Sequence, residues 1–142
     1  MVNLSQEELI SLMKENGLRI TNHRLLILNV ITKSREPLTV YELTEKVRRK
    51  ENIDQATVYR NIFSFEEAGL IRTVSFNHGH NHYEFNTGKK FCRVVCDNCG
   101  TFEKLDGKSF SDLSKKIFKK SKKFKQDGLS SFEIYSLCKK CG

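Results

Sequence analysis

Five cysteines carry the most concentrated chemistry in this 142-residue chain. Four fall as matched pairs, Cys96-x-x-Cys99 and Cys138-x-x-Cys141, each followed by glycine. Two thiolates a short turn apart make half of a tetrahedral sulfur shell, and two such pairs brought together suit zinc. A dithiol redox switch and two unrelated free-thiol pairs are the rival readings; the matched metal-ligand spacing favours structural zinc. Thirty-eight residues separate the pairs, so the site would clip the C-terminal end to a strand formed much earlier. Cys92 stands outside the set. It reads as a small buried hydrophobe, or, if exposed among Lys89, Lys90 and Arg93, as a low-pKa thiol that senses oxidants or ligates a metal.

A second donor group lies upstream. His80, His82 and Glu84 alternate along an expected strand, so their side chains share a face at spacings of about 7 Å, with His78 at the turn nearby. Two imidazoles and a carboxylate suit zinc, iron or manganese, and a thiolate from Cys92 would favour zinc or a softer metal. The competing reading is a polar solvent face, or histidines that touch phosphate.

Net charge is +8, which points to a polyanionic partner such as nucleic acid. The excess is localised. Residues 1–86 hold eleven Lys and Arg against eleven Asp and Glu, whereas residues 87–142 hold fourteen against six. No leader pattern or membrane-length apolar run is present, so the expected location is the cytoplasm, where paired cysteines are metal ligands or redox pairs rather than disulfides. An enzyme is not expected, because no Cys-His-Asp constellation, phosphate loop or HxE beside a CxxC is present.

The elements that must position these groups are legible in the punctuation. Ser5 with Glu8 forms a capping box for a helix running to Asn16-Gly17, and Leu4 and Leu9 stand as a staple. Thr21 caps a second, largely apolar helix; Thr39 with Glu42 caps a third after Pro37; Asp54 caps a fourth that Gly69 ends. In that fourth helix Val58, Ile62 and Phe65 share the buried side, which leaves Thr57, Arg60 and Ser64 opposite and Tyr59 at the flank. "LIRTVSF" and "HNHYEFN" follow as a β-hairpin. Helices followed by a hairpin make a winged helix, whose last helix enters the major groove, where Arg60 would bond guanine and Tyr59 would pack on a thymine methyl. A solvated surface is the bland alternative for that face.

The runs "GLRITNHR", "ATVYRNIFSFEEAGLI" and "YEFN", with the paired CxxC motifs, resemble the ferric uptake regulator (Fur) family of metal-dependent repressors across nearly the whole chain. The resemblance implies an α+β protein: a winged helix-turn-helix DNA-binding domain over 1–86, and a small α/β dimerisation domain over 87–142 with a four-cysteine zinc site. It implies a homodimer on a double-stranded DNA operator and no membrane partner. Tyr59 and Arg60 would contact bases together with Thr57, and Arg19 would reach the minor groove. The amphipathic "KSFSDLSKKIFKKSKKFK" becomes a solvated helix over a dimer core.

The departures concern the sensor. The histidine-rich stretch of the family is replaced here by Lys90, Phe91, Cys92 and Arg93. Pro37 and Ser130 stand where further histidines are expected, so only Glu84 of the usual regulatory ligands is recognisable. The chain is therefore expected to be a DNA-binding repressor responding to a metal ion or to peroxide, with a second metal (Zn, Fe or Mn) only if His80, His82 and Glu84 rebuild a site. The alternative is a zinc-stapled winged-helix protein that binds DNA constitutively.

Overall fold

The computed structural model describes residues 2–76, 79–105, 107–125 and 131–142. The elements run α1 (Gln6–Glu15), α2 (Asn22–Lys33), α3 (Val40–Arg48), α4 (Gln55–Glu67), β1 (Ile71–Ser75), β2 (Asn81–Phe85), β3 (Phe91–Cys96), β4 (Phe102–Leu105), α5 (Gly107–Lys120) and β5 (Ser131–Ser136). They divide into two compact units: Met1–Ser75 with Gly79–Thr87, and Phe76–His78 with Gly88–Gly142. Among the described residues no helix is long and apolar enough to cross a membrane.

In the first unit each helix starts where a side chain takes up an orphan backbone N–H. Ser5 and Thr39 form full capping boxes with Glu8 and Glu42, and Thr21 and Asp54 cap α2 and α4. Two of the helices end in a Schellman pattern. At the end of α4, Gly69 sits at φ 70°, its N–H donates to Glu66 and the Leu70 N–H donates to Phe65. That turn sends the chain straight into β1, and Gly17 does the same for α1. The helices then close over Met13, Ile27, Leu28, Leu43, Val47, Val58 and Phe65, all fully buried. Burying each side chain stabilises by roughly 1.5–3 kcal/mol before entropy is counted. The antiparallel hairpin β1–β2 is tied to this core by Leu38, which exchanges both backbone hydrogen bonds with Tyr83. Four helices and this hairpin make the winged helix.

The second unit is a three-stranded sheet in the order β4-β3-β5, with β3 antiparallel to β4 and parallel to β5. Its two faces differ. On one, Phe110 of α5 packs on Phe132, the register partner of the fully buried Cys92. The opposite face carries Arg93, with the rings of Phe76, Phe91 and Phe102 around its guanidinium.

Candidate metal centre and nucleic-acid interface

The four paired cysteines meet because β3 and β5 run parallel. Cys96 ends β3 directly beside Ser136, the last residue of β5, so Cys138 emerges two residues further at the same end of the sheet. The other half of each pair is placed by a tight turn. The Gly100 N–H donates to the Cys96 carbonyl and the Cys141 N–H to the Cys138 carbonyl. The Asp97 N–H donates to the Ser136 carbonyl, which joins the two turns.

All four sulfurs lie within 4.8 Å of one another, and Cys99 Sγ is 3.7 Å from Cys138 Sγ. Zinc–sulfur bonds of about 2.3 Å arranged tetrahedrally place sulfurs about 3.8 Å apart, so the cage has the size of a zinc site. The backbone is prepared for negative charge, since the Cys138 N–H donates to Cys96 Sγ at 3.3 Å. Amide donation from Cys99 and Cys138 pulls the Cys96 thiol down to about 6, and the Lys140 amide lowers Cys138. At Cys141 the Asn98 side chain pulls downward but is outweighed by the thiols of Cys138 and Cys99, which push it up to about 11. Two lowered thiols beside a raised one are what four crowded sulfurs give when they cannot all ionise together without a cation between them. With four sulfurs at this spacing, the donor set fits a structural zinc.

Among the described residues this is the only group of three or more His, Cys, Asp or Glu side chains whose donor atoms converge. His80, His82 and Glu84 do not. Glu84 is turned inward and pairs with Arg72, its direct partner across the hairpin, at 2.8 Å. His80 precedes β2, and His82 Nδ1 lies 3.2 Å from the His80 carbonyl rather than facing the carboxylate. His78 and Ser130 fall outside the described residues.

Cys92 is fully buried in the central strand, and burial pushes its thiol up. The exposure on which a low-pKa sensor or an open ligand depends is not met. Phe91 and Arg93 lie on the other face of that strand, as the alternation requires. The fate of Arg93 is not legible from its sequence neighbours: it is 1 % exposed, is ringed by three aromatic side chains, and donates to Glu133 on β5 at 2.7 Å. Tyr135 Oη also donates to Glu133, at 2.7 Å; burial and that bond push the tyrosine up to about 12.

In the first unit α4 buries Val58, Ile62 and Phe65 as expected, but its outward face differs from the one expected. Tyr59 and Arg60 are exposed, but Thr57 and Ser64 are half-buried, and the residues that share the exposed face are Ala56 and Phe63. Local bonding is the reason. The Thr57 hydroxyl donates to Asp54 and accepts from Arg60, which folds it into the cap. Behind the helix, Arg24 of α2 donates to the Asn61 side chain and to the Arg19 carbonyl, both at 3.1 Å. A single planar guanidinium thus ties α4 to the segment carrying the exposed Arg19. Phe63 was missed although Val58, Ile62 and Phe65 were already placed on the buried side, because the outward face was read from its polar residues.

The sequence model described as "Ferric uptake regulator family" matches residues 15–131. A ferric uptake regulation protein from Legionella pneumophila is 30 % identical over 131 residues, 91 % of this chain and 95 % of its own. A peroxide-responsive repressor, PerR, from Staphylococcus aureus is 25 % identical over 136 residues, 95 % of this chain and 90 % of its own. The Helicobacter pylori ferric uptake regulator shares the fold, with a TM-score of 0.77 at 20 % identity over 99 % of this chain and 96 % of that one. The Vibrio cholerae regulator superposes with a TM-score of 0.70 at 27 % identity, covering 90 % and 98 %.

Proposed function

This chain belongs to the ferric uptake regulator family and is a metal- or peroxide-responsive transcriptional repressor, and from that premise we propose how its parts divide the work. The winged-helix unit, over about residues 1–86, reads a double-stranded operator. Tyr59 and Arg60 of α4 sit at the bases, and Arg19 and Thr57 support contacts to the backbone or minor groove. The remaining residues, 87–142, pair two copies of the chain. The observation that carries the DNA reading is the exposed Tyr59–Arg60 face on a helix braced from behind by Arg24. An exposed aromatic ring and a guanidinium at adjacent positions suit thymine methyl and guanine edges.

The pairing of two copies is supported by β5. Among the described residues it is an edge strand of the sheet, and it leaves Ile134 and Tyr135 exposed, with Leu137 just beyond it, a surface that proteins normally cover. A dimer presents two reading helices to a palindromic site. Cys96, Cys99, Cys138 and Cys141 would hold a zinc ion, whose contribution is to tie the ends of β3 and β5 together rather than to react. The reading places the repressor in the cytoplasm with its operator. Arg60→Ala should lose selected operator DNA in a mobility-shift assay while keeping its helical spectrum; unchanged affinity would refute the assignment of α4.

One observation favours a second reading, in which DNA binding needs no metal beyond the zinc. Arg93 stands where the resemblance expects a regulatory ligand, and its permanent charge is already neutralised by Glu133. A cation is then built into the sheet, and the response, if it is to a metal, must use other residues. Operator affinity with and without a chelator that leaves the zinc in place decides between the two.

A further inference from the structure

Two large aromatic side chains stand in solvent on α4: Tyr59 is 57 % exposed and Phe63 is 55 % exposed. They are four residues apart, one helical turn, and Ala56 lies three residues before Tyr59 on the same side. At 100° per residue, positions 56, 59, 60 and 63 fall within an arc of about 100°. Val58, Ile62 and Phe65, all buried, fill the arc next to it. Phe63 therefore cannot reach the core of its unit without unwinding the helix. Ala56, Tyr59 and Phe63 form a continuous apolar strip with Arg60 along one border.

We infer that this strip docks on a run of thymine methyl groups in the major groove, and that Phe63 is a specificity-determining contact for DNA in addition to Tyr59 and Arg60. The inference rests on the reading of α4 as the DNA-reading helix and names what that helix selects. Thymine methyl is the only apolar group that the base pairs present in the major groove, so an apolar strip there discriminates for thymine by burial. The dimensions agree: residues 56 to 63 span about 10 Å along the helix axis, about three base steps at 3.4 Å. The charge pattern also agrees. Arg60 is the cation beside the strip, whereas the exposed Glu66 and Glu67 begin one turn further on and would repel phosphate. Contact is thereby confined to the first two turns of α4, where the strip lies. Arg60 is held at that border by its bond to the Thr57 hydroxyl.

The test uses a duplex selected from a random pool by the full-length wild-type protein. Each thymine of one half-site is replaced in turn by deoxyuridine, which removes the methyl group and nothing else. Binding is read by fluorescence anisotropy at fixed salt for wild type, Phe63→Ala, Tyr59→Ala and Arg60→Ala. At one thymine or more, the replacement should weaken wild type about 3- to 5-fold, the worth of one buried methyl group, and should leave Phe63→Ala within about 2-fold. Equal losses for wild type and Phe63→Ala at every position, or no loss for either, would overturn the proposal. So would a Phe63→Ala protein that keeps wild-type DNA affinity and methyl discrimination but changes its sedimentation, because the strip would then be a contact between copies of the chain. Failure of the underlying reading looks different: Arg60→Ala and Tyr59→Ala would both bind like wild type. The substituted side chain is in solvent, so an unchanged thermal midpoint for Phe63→Ala confirms that affinity alone is being read.

Discussion

Arg93 and Glu133 face each other directly across the parallel pairing of β3 and β5, and their side chains meet at 2.7 Å with the guanidinium 1 % exposed. Forty residues apart in sequence, they tie the central strand to the edge strand on the face opposite α5. The three phenylalanine rings around Arg93 exclude water and add cation–π attraction, and each ring is 5.2–5.6 Å from the guanidinium carbon.

The two partners should respond unequally to substitution. Glu133→Ala leaves a buried guanidinium without its carboxylate and should destabilise by about 3–5 kcal/mol, toward the lower end because Glu133 is partly exposed. Arg93→Met replaces the cation with an apolar side chain of similar reach among aromatic rings, and should lie within about 1 kcal/mol of wild type. Urea unfolding of both variants checks the order. A larger loss in Arg93→Met would show that the charge itself holds the sheet together.

Removal of the zinc, by a strong chelator or by Cys96→Ser, should unfold the second unit first. The apparent binding free energy of a four-ligand zinc site, about 10–16 kcal/mol, is comparable to the whole stability of a domain. The first unit has its own core and caps, so most of the helical signal at 222 nm should survive while amide signals from 88–142 collapse. Elemental analysis should find one zinc per chain in wild type and none in Cys96→Ser.

Cys92 should be chemically silent in the folded protein. Burial raises its thiol above the ordinary 9.0, so the neutral form is the one the fold favours. Its contribution is complete below pH 9.0 and is lost as pH rises through the folded value. At pH 7 it should resist both alkylation and peroxide until urea exposes it. Cys92→Ala should bind DNA like wild type at a cost of about 1–2 kcal/mol for the cavity. Mass spectrometry of labelled peptides distinguishes Cys92 from the zinc ligands.

Gly69→Ala should cost about 1–2 kcal/mol from backbone strain alone, since φ is 70° there and an added Cβ meets nothing within 4 Å. Gly69→Asn should lose less, because asparagine tolerates the left-handed region. Thermal midpoints of the two variants give the comparison. Equal losses would place the cost in the turn's contacts instead of its dihedral angles.

Much of this molecule is legible in short stretches of sequence. Ser5 with Glu8, Thr39 with Glu42, Asp54 and Gly69 each act on a backbone group within a few residues, so the starts and ends of the helices can be read without knowing the fold. The CxxC spacing is equally local, because a turn of four residues is enough to set two sulfurs side by side. The outer face of α4 was legible only in part. Thr57 could face outward on helical spacing, and its bonds to Asp54 and Arg60 fold it into the cap, whereas the buried Val58, Ile62 and Phe65 already leave Phe63 outside.

By itself, then, the sequence determined four capped helices, a hairpin, two half-cages of sulfur and the family to which they belong. Tertiary structure alone decided that the half-cages meet, through the parallel alignment of Cys96 with Ser136, and that Arg93 is buried instead of solvated. The physical reason is the same in both cases. A cap or a turn depends on bonds within a few residues, whereas both of these outcomes need β5, whose Glu133 and Ser136 lie forty residues from Arg93 and Cys96. The chain can place a cation inside the sheet only once Glu133 and the three phenylalanine rings have been folded around it.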